Sequence, residues 1–358
     1  MRIDIDVISN LAVKYTTVPL ITLVYLALTI TLSAVTSYIR TQSYQTLLSD
    51  NPSLAFDDII IPSLQLVPSH IVFHPWTLWT STYVETSPLQ FIFGIIIIYF
   101  GITFLESQWN PQSLTDDNED VTSLLNAQKP VSETFKFNTF VVIVSNFICL
   151  LITSFIYILK GSYETLNHPL QYGLFILMLP LSVVAKQLTP ERNIKVFSLF
   201  KFRLKRSPFI LLCFALVLSI VKFSLSPILP AIVSFMTAWY YLRYLQLSPA
   251  INSQILPAPN NTSAIVRGDP SDTFSLVEFF PDLIKGTLKP VFDGFYQVAV
   301  LLGVVRPWND DDVDIGNLRS NLRVSGASKS KTASGNETDE RRKQIALKML
   351  EQTVTQES

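Results

Sequence analysis

Charge is scarce in this chain: only 15% of its 358 residues are Asp, Glu, Lys or Arg, against about 25% in soluble domains. Histidine and cysteine are rarer still, with three and two copies. Cys149 and Cys213 both fall inside apolar runs, so we interpret them as buried, inert thiols. Because there is no CxxC pair and no Cys/His cluster, the sequence predicts no metal site, no cofactor and no disulfide framework. It also offers no sign of a nucleic-acid partner.

Apolar residues take the place of the missing charge, at 49% of the chain. They gather into six runs near the length of about 20 residues that crosses a bilayer. We therefore predict an all-α membrane protein, a six-transmembrane-helix bundle over residues 18–245. The predicted spans are 18–39, 88–105, 137–159, 169–185, 208–221 and 228–245. The first run is too long for a cleavable signal, so we interpret it as a retained span.

The loop between the fourth and fifth predicted spans carries the strongest orientation signal. Its basic residues are Lys186, Arg192, Lys195, Lys201, Arg203, Lys205 and Arg206. Short basic loops stay in the cytosol, which places both termini, including residues 1–17, in the cytosol and residues 40–87 in the lumen. The sequons at Asn260, Asn261 and Asn336 then lie on the cytosolic side, where they stay unglycosylated.

An aromatic segment precedes the second predicted span. In the stretch HPWTLWTSTYVE, Trp76, Trp79 and Tyr83 recur at i, i+3 and i+7, with Thr and Ser between them and Glu85 at the end. Aromatic rings beside polar groups are typical of a segment in the headgroup region. We predict that this segment is an interfacial anchor.

The second predicted span contains two glycines and ends at an acid. Gly94 and Gly101 are seven residues apart, so they share a helix face on which another helix could approach closely. Glu106 lies at the end of the apolar run. We place it in the polar boundary of the membrane rather than inside it.

The cytosolic tail divides into four predicted parts. Residues 246–272 are a linker, and 273–305 are an amphipathic segment that either lies along the membrane or docks on the bundle. Residues 306–336 are predicted to be disordered, and 337–353 to form an amphipathic helix. Candidate partner-binding residues of the tail are Phe279, Phe280, Pro281, Arg341, Arg342 and Leu350.

Several stretches of the chain resemble a known family. HPWTLWTSTYVE, followed by an apolar span closing in FLESQW, is similar to the loop and second span of the rhomboid-like superfamily. Four more stretches resemble the eukaryotic transmembrane protein 115 family in the same order over most of residues 18–352. They are VVAKQLTPE, WYYLRYLQ, FSLVEFFPDLIKGTLKPV and DERRKQIALKML.

This resemblance implies a catalytically inactive rhomboid-like bundle in the Golgi membrane, with the endoplasmic reticulum as a second location. It implies a role in retrograde transport from Golgi to endoplasmic reticulum. The implied partners are the lipid bilayer, membrane cargo and, through the tail, a Golgi tethering complex. Homo-oligomerisation stays open.

Rhomboid proteases carry a Gly-x-Ser-Gly serine on the fourth span and a histidine on the sixth. Here Gly173 is followed by no Ser-Gly, Ser182 lacks that context, and residues 228–245 contain no histidine. We therefore predict that the chain is not an enzyme. Two alternatives remain: a transporter or lipid-handling protein, and an intramembrane hydrolase with unfamiliar residues. The near absence of ionisable residues in the spans argues against ion-coupled transport.

Overall fold

Each of the six apolar runs is helical. A computed structural model describes residues 18–48, 55–56, 59–109, 133–161, 163–170, 173–190, 193–196, 200–225, 227–248, 266–309 and 312–321. The six helices are α1 Leu20–Leu48, α2 Pro88–Trp109, α3 Glu133–Lys160, α4 Gly173–Leu188, α5 Ser207–Val221 and α6 Ile228–Tyr240. Helices suit these runs because lipid offers no hydrogen-bond partners to the backbone. The all-α membrane fold is confirmed.

Four helical segments are long and apolar enough to cross a membrane: α1, α2, α3 and the stretch Leu204–Val221 that contains α5. Helices α4 and α6 are shorter, with 16 and 13 residues, and α6 continues into a π-helical turn at Tyr241–Leu245. The count of six spans therefore stays a prediction. At most 39% of each long span's most apolar window is buried, so the apolar outer faces require lipid to cover them.

The chain divides into two compact units. The first comprises residues 1–184 and 207–268, and the second comprises 185–206 and 269–358. In the first unit, α1 contacts α2, and α3 contacts α6. Its core includes Tyr25, Leu66, Tyr83, Ile98, Ile102, Val142, Cys149, Ile176 and Val233. Cys213 is exposed on α5, so its predicted burial was wrong. An apolar run that spans a membrane contains lipid-facing residues as well as buried ones.

The second unit contains a β-hairpin that the charge pattern did not predict. Strand β1, Asn193–Val196, pairs antiparallel with β2, Phe200–Arg203, in the register Asn193↔Arg203 to Val196↔Phe200. The unit continues through two 3₁₀ turns, Asp272–Phe274 and Leu276–Phe279. It then forms helix α7, Asp282–Leu301, and helix α8, residues 312–321.

Helix α8 lies within the stretch predicted to be disordered. Gly316 fits it against residues 270–271, since a Cβ on this glycine would lie 2.8 Å from both Pro270 Cγ and Ser271 N. The side chain of Asn317 bonds to both the N–H and the carboxylate of Asp272, each at 2.9 Å. The rest of the predicted disordered stretch beyond residue 321 lies outside the described residues.

Candidate functional site

The aromatic loop before α2 folds into the first unit. Its backbone forms a helical turn, Thr77–Thr80, and then a 3₁₀ turn, Ser81–Tyr83. Tyr83 is fully buried and stacks on Tyr25 with ring centroids 5.4 Å apart. The Tyr83 hydroxyl accepts a hydrogen bond from Asn138 Nδ2 of α3 at 2.6 Å. Tyr83 is thus an interior residue, although its spacing in the sequence predicted a position at the membrane interface.

The two tryptophans of the loop behave differently from Tyr83. Trp76 is 51% exposed, and its Nε1 donates to the carbonyl of Ser63 at 2.9 Å. Trp79 is partly buried against the core. Val72 and Phe73, 82% and 73% exposed, extend the outward-facing apolar surface next to Trp76. We propose that these three exposed side chains form the part of the loop that anchors in the membrane interface.

Helix α3 holds the loop through two asparagines. Asn146 Nδ2 donates to the carbonyl of Leu78 and to Thr82 Oγ1, both at 2.8 Å. Asn138, which bonds Tyr83, lies eight residues earlier and so about two turns away on a similar face. Amides buried in this way are stabilising only when they are hydrogen-bonded, and the loop supplies their partners.

Helix α1 and helix α4 enclose the end of the loop at Glu85. Ser33 Oγ accepts the Glu85 N–H at 3.1 Å. Burial raises the pKa of the Glu85 carboxyl to about 7. On the α4 side, a Cβ on Gly173 would lie 2.3 Å from the Thr82 carbonyl oxygen and 2.9 Å from Glu85 Oε1. Only glycine allows this approach, a requirement that the sequence did not show.

The residues predicted on α2 occupy three different environments. A Cβ on Gly101 would lie 2.3 Å from Leu181 Cδ1 of α4, so this glycine does permit close helix packing. Gly94 has ordinary spacing, with its nearest neighbour, Glu85 Cγ, at 3.8 Å. Glu106 is 9% exposed and its carboxylate accepts hydrogen bonds from Thr22 in the first turn of α1; its place in the polar boundary of the membrane stays a prediction.

In the second unit, the last turn of α4 binds a segment of the tail. Lys186 is 5% exposed; its Nζ donates to the carbonyl of Glu278 at 2.7 Å and lies 3.4 Å from the ring centroid of Phe279. Burial lowers the pKa of the Lys186 ammonium to about 7, so the attraction of the charged form to the ring weakens as the pH rises through neutrality. Beside it, Gln187 Nε2 donates to Asp269 Oδ2 at 3.0 Å. We call Lys186, Glu278 and Phe279 the tail latch.

The latch changes the interpretation of two predicted residues. Lys186 was predicted to belong to the cytosolic basic loop and Phe279 to be a candidate partner-binding residue; in the structure both side chains are buried and contact each other. Phe280 packs on Phe292 with centroids 5.6 Å apart. Pro281 is exposed at the start of α7. Lys186 directly follows an apolar span, and nothing in this position indicated from the sequence that its partner is the distant ring of Phe279.

The remaining basic and tail residues are placed as follows. Arg203 and Arg206 are exposed and Lys205 is partly buried. Lys195 and Lys201 are paired strand residues in the hairpin. The predicted residues outside the described part of the chain are Arg192, Arg341, Arg342 and Leu350.

The serine and histidines weighed for catalysis make local contacts. Ser182 Oγ donates to the carbonyl of Leu179 in its own helix at 2.7 Å. His74 packs edge-on against Trp76, with ring centroids 5.0 Å apart, and a ring nitrogen of His168 lies 3.4 Å from the carbonyl of Pro169. Within the described residues, no group of three or more His, Cys, Asp or Glu side chains could hold a metal ion.

Together, the apolar helices and the loop folded among them define an all-α, multi-pass membrane protein. The chain matches the family model described as "Eukaryotic integral membrane protein (DUF1751)" over residues 20–116 and 131–356. The chain belongs to the transmembrane protein 115 family of rhomboid-like eukaryotic integral membrane proteins.

Two relatives illustrate the range of this similarity. The transmembrane protein 115 homolog of Saccharomyces cerevisiae is 31% identical over 343 residues, which cover 93% of this chain and 91% of the yeast protein. Rhomboid-like protein 19 of Arabidopsis thaliana is 27% identical over 240 residues, or 66% of each chain. No solved structure matches the chain.

Proposed function

We propose that this chain is a non-catalytic Golgi membrane protein that supports retrograde transport from Golgi to endoplasmic reticulum. Its membrane domain recognises membrane cargo, and its cytosolic tail recruits tethering machinery. The observation that carries this proposal is the tail latch. Lys186 lies in the last turn of α4 and contacts Glu278 and Phe279. A partner that binds the tail is therefore linked through these contacts to the end of a predicted membrane helix.

The packing of the first unit supports the non-catalytic part of the proposal. Tyr25, Tyr83 and Asn138 fill its interior with stacked rings and a bonded amide. The hydroxyl proton of Ser182 is donated to a carbonyl of its own helix, whereas an activated serine donates to a neighbouring base. These groups serve packing rather than proton transfer.

Complementation of cells that lack the protein tests the transport role. The variants are a deletion from Thr273 onward, Lys186→Ala in the latch and, as a matched control, Lys289→Ala on the exposed side of α7. We expect the deletion to slow retrieval of a Golgi reporter to the endoplasmic reticulum and to abolish pull-down of tethering machinery. Lys186→Ala should weaken both and Lys289→Ala neither. Unchanged retrieval together with unchanged pull-down in the deletion would contradict the proposal.

Glycosylation of engineered sequons tests the proposed orientation. A sequon placed between residues 40 and 87 should be glycosylated, and one placed in the tail should not, because only the lumenal side meets the transferase. The reverse pattern would invert the topology and place the latch in the lumen, where cytosolic machinery could not reach it. Imaging a tagged copy against Golgi and endoplasmic-reticulum markers tests the location itself.

A further inference from the structure

Helix α7 carries an apolar stripe of which most positions are exposed in the described structure. At 100° per residue, six positions fall on one narrow face. They are Ile284, Leu288, Val291, Phe295, Val298 and Leu302, the last being the helix cap. Phe295 is 71% exposed, Val298 52% and Val291 48%. No residue of α7 is buried.

The opposite side of the helix is polar and holds its ion pairs. Asp282, Lys285, Lys289, Asp293 and Gln297 lie on that side. Lys285 Nζ lies 2.8 Å from both Glu278 Oε2 and Asp282 Oδ1. These contacts hold the pKa of Asp282 below its usual value and raise the pKa of Lys285. The first turn of α7 is thereby joined to the tail latch.

The sequence of α7 is a poor one for a free helix in water. Gly286 and Gly294 have open space around them, and Pro290 lies between them. Glycine and proline are the two residues that most disfavour a helix interior. A helix with these residues and no buried side chain needs an apolar surface to stabilise it.

The latch links the segment before α7 to the last turn of α4 within the second unit. Glu278 and Phe279 bind Lys186, which directly follows the apolar run of α4, and α7 begins three residues after Phe279. Residues 185–206 of the same unit connect α4 to α5, and α5 lies in the candidate span Leu204–Val221. The second unit is therefore connected along the chain to predicted membrane segments on both sides of residues 185–206.

We propose that α7 lies on the cytosolic face of the bilayer, with the stripe from Ile284 to Leu302 inserted among the lipids. An in-plane helix of this kind shows an apolar face, a charged face and aromatic residues at the boundary. The 4-3-4 spacing of the stripe also fits a coiled coil with a second copy. However, Pro290 in the middle interrupts the backbone ladder that a continuous coiled coil requires, whereas a lipid surface tolerates a kink.

Spin-label accessibility in lipid nanodiscs tests this placement. The full chain is used with Cys149→Ala and Cys213→Ala to remove the two free cysteines, and each disc holds one copy. Nitroxides are then attached at Val291→Cys, Phe295→Cys and Val298→Cys on the stripe. Lys289→Cys and Asp293→Cys are the matched controls on the polar side. Because no α7 side chain is buried, none of these changes removes core packing.

Collision with oxygen and with a water-soluble nickel chelate distinguishes the outcomes. Stripe positions that meet oxygen readily and the nickel reagent poorly, beside control positions with the reverse preference, support insertion in lipid. Ready nickel access on both faces overturns the proposal, because the helix is then in water. Low access to both reagents along the stripe also overturns it, because protein then covers the helix. This readout is independent of any role in transport.

Discussion

The carboxylate of Glu106, late in α2, accepts hydrogen bonds from both the backbone N–H and the hydroxyl of Thr22, at 3.1 and 2.8 Å. Thr22 lies in the first turn of α1, where backbone N–H groups have no partner within the helix. Thr22 and Glu106, 84 residues apart in sequence, therefore join α1 to α2 through an acceptor at a helix N-terminus, where the helix dipole favours such a group.

Removing this carboxylate should destabilise the bundle. Glu106→Ala leaves the Thr22 N–H and hydroxyl buried without their acceptor, for which we expect a loss of about 1–3 kcal/mol in the free energy of unfolding. Glu106→Gln keeps an acceptor oxygen and should lose less. Unfolding in detergent, followed by circular dichroism, measures the difference. Equal stability of the alanine variant and the parent chain would show that the contact contributes nothing.

Gly173 and Gly94 offer a matched pair of glycine substitutions. Gly173→Ala drives a Cβ to 2.3 Å from the Thr82 carbonyl, a backbone atom that cannot move aside cheaply, so overpacking should cost about 1–3 kcal/mol. Gly94→Ala meets nothing closer than 3.8 Å and should be neutral or slightly stabilising. The same unfolding assay ranks the two. A Gly173→Ala chain as stable as Gly94→Ala would contradict the close approach of α4 and the loop.

Glu85 makes the stability of the first unit depend on pH. Its pKa is about 7 in the folded chain against an ordinary value of 4.5, because burial favours the neutral carboxyl. The stability from this group is fully present below pH 4.5 and is lost as the pH rises through about 7. Glu85→Gln should flatten that part of the profile. The check is the unfolding midpoint at a series of pH values; identical profiles for both chains would be the contrary result.

Breaking the tail latch should expose the segment that it holds. Lys186→Met removes the hydrogen bond to Glu278 and the cation above Phe279, together worth about 1–3 kcal/mol. We expect faster proteolysis between residues 276 and 285, measured by mass spectrometry of early fragments. Lys289→Met, on the exposed polar side of α7, is the control and should cleave at the parent rate. Equal cleavage of all three chains would mean that the latch does not restrain the tail.

The length of the apolar runs was sufficient to locate six helices, of which four lie in segments long and apolar enough to cross a membrane, because the bilayer demands both length and internal hydrogen bonding. The loop before α2 was predicted less well. Reading Trp76, Trp79 and Tyr83 as one face assumed a continuous helix, but the backbone tightens to 3₁₀ at Ser81–Tyr83. Tyr83 turns inward to a partner, Asn138, that is 55 residues away. Local spacing contains no information about that partner.

The charged residues show the same limit. Glu106 and Lys186 both end apolar runs, where a charge normally meets the headgroups or water. Their actual partners, Thr22 and Glu278, lie 84 and 92 residues away, so only the tertiary packing assigns them. The amphipathic pattern of α7 was visible in the sequence, but the exposure of its apolar stripe was not.

The hydrogen bond from Ser182 to the Leu179 carbonyl has a consequence for chemical probes. Ser182 is buried, and its hydroxyl donates to a backbone carbonyl rather than to a side-chain base that could accept its proton, so we expect it to react slowly with electrophilic probes. Serine-directed electrophiles such as fluorophosphonates should therefore leave Ser182 unmodified.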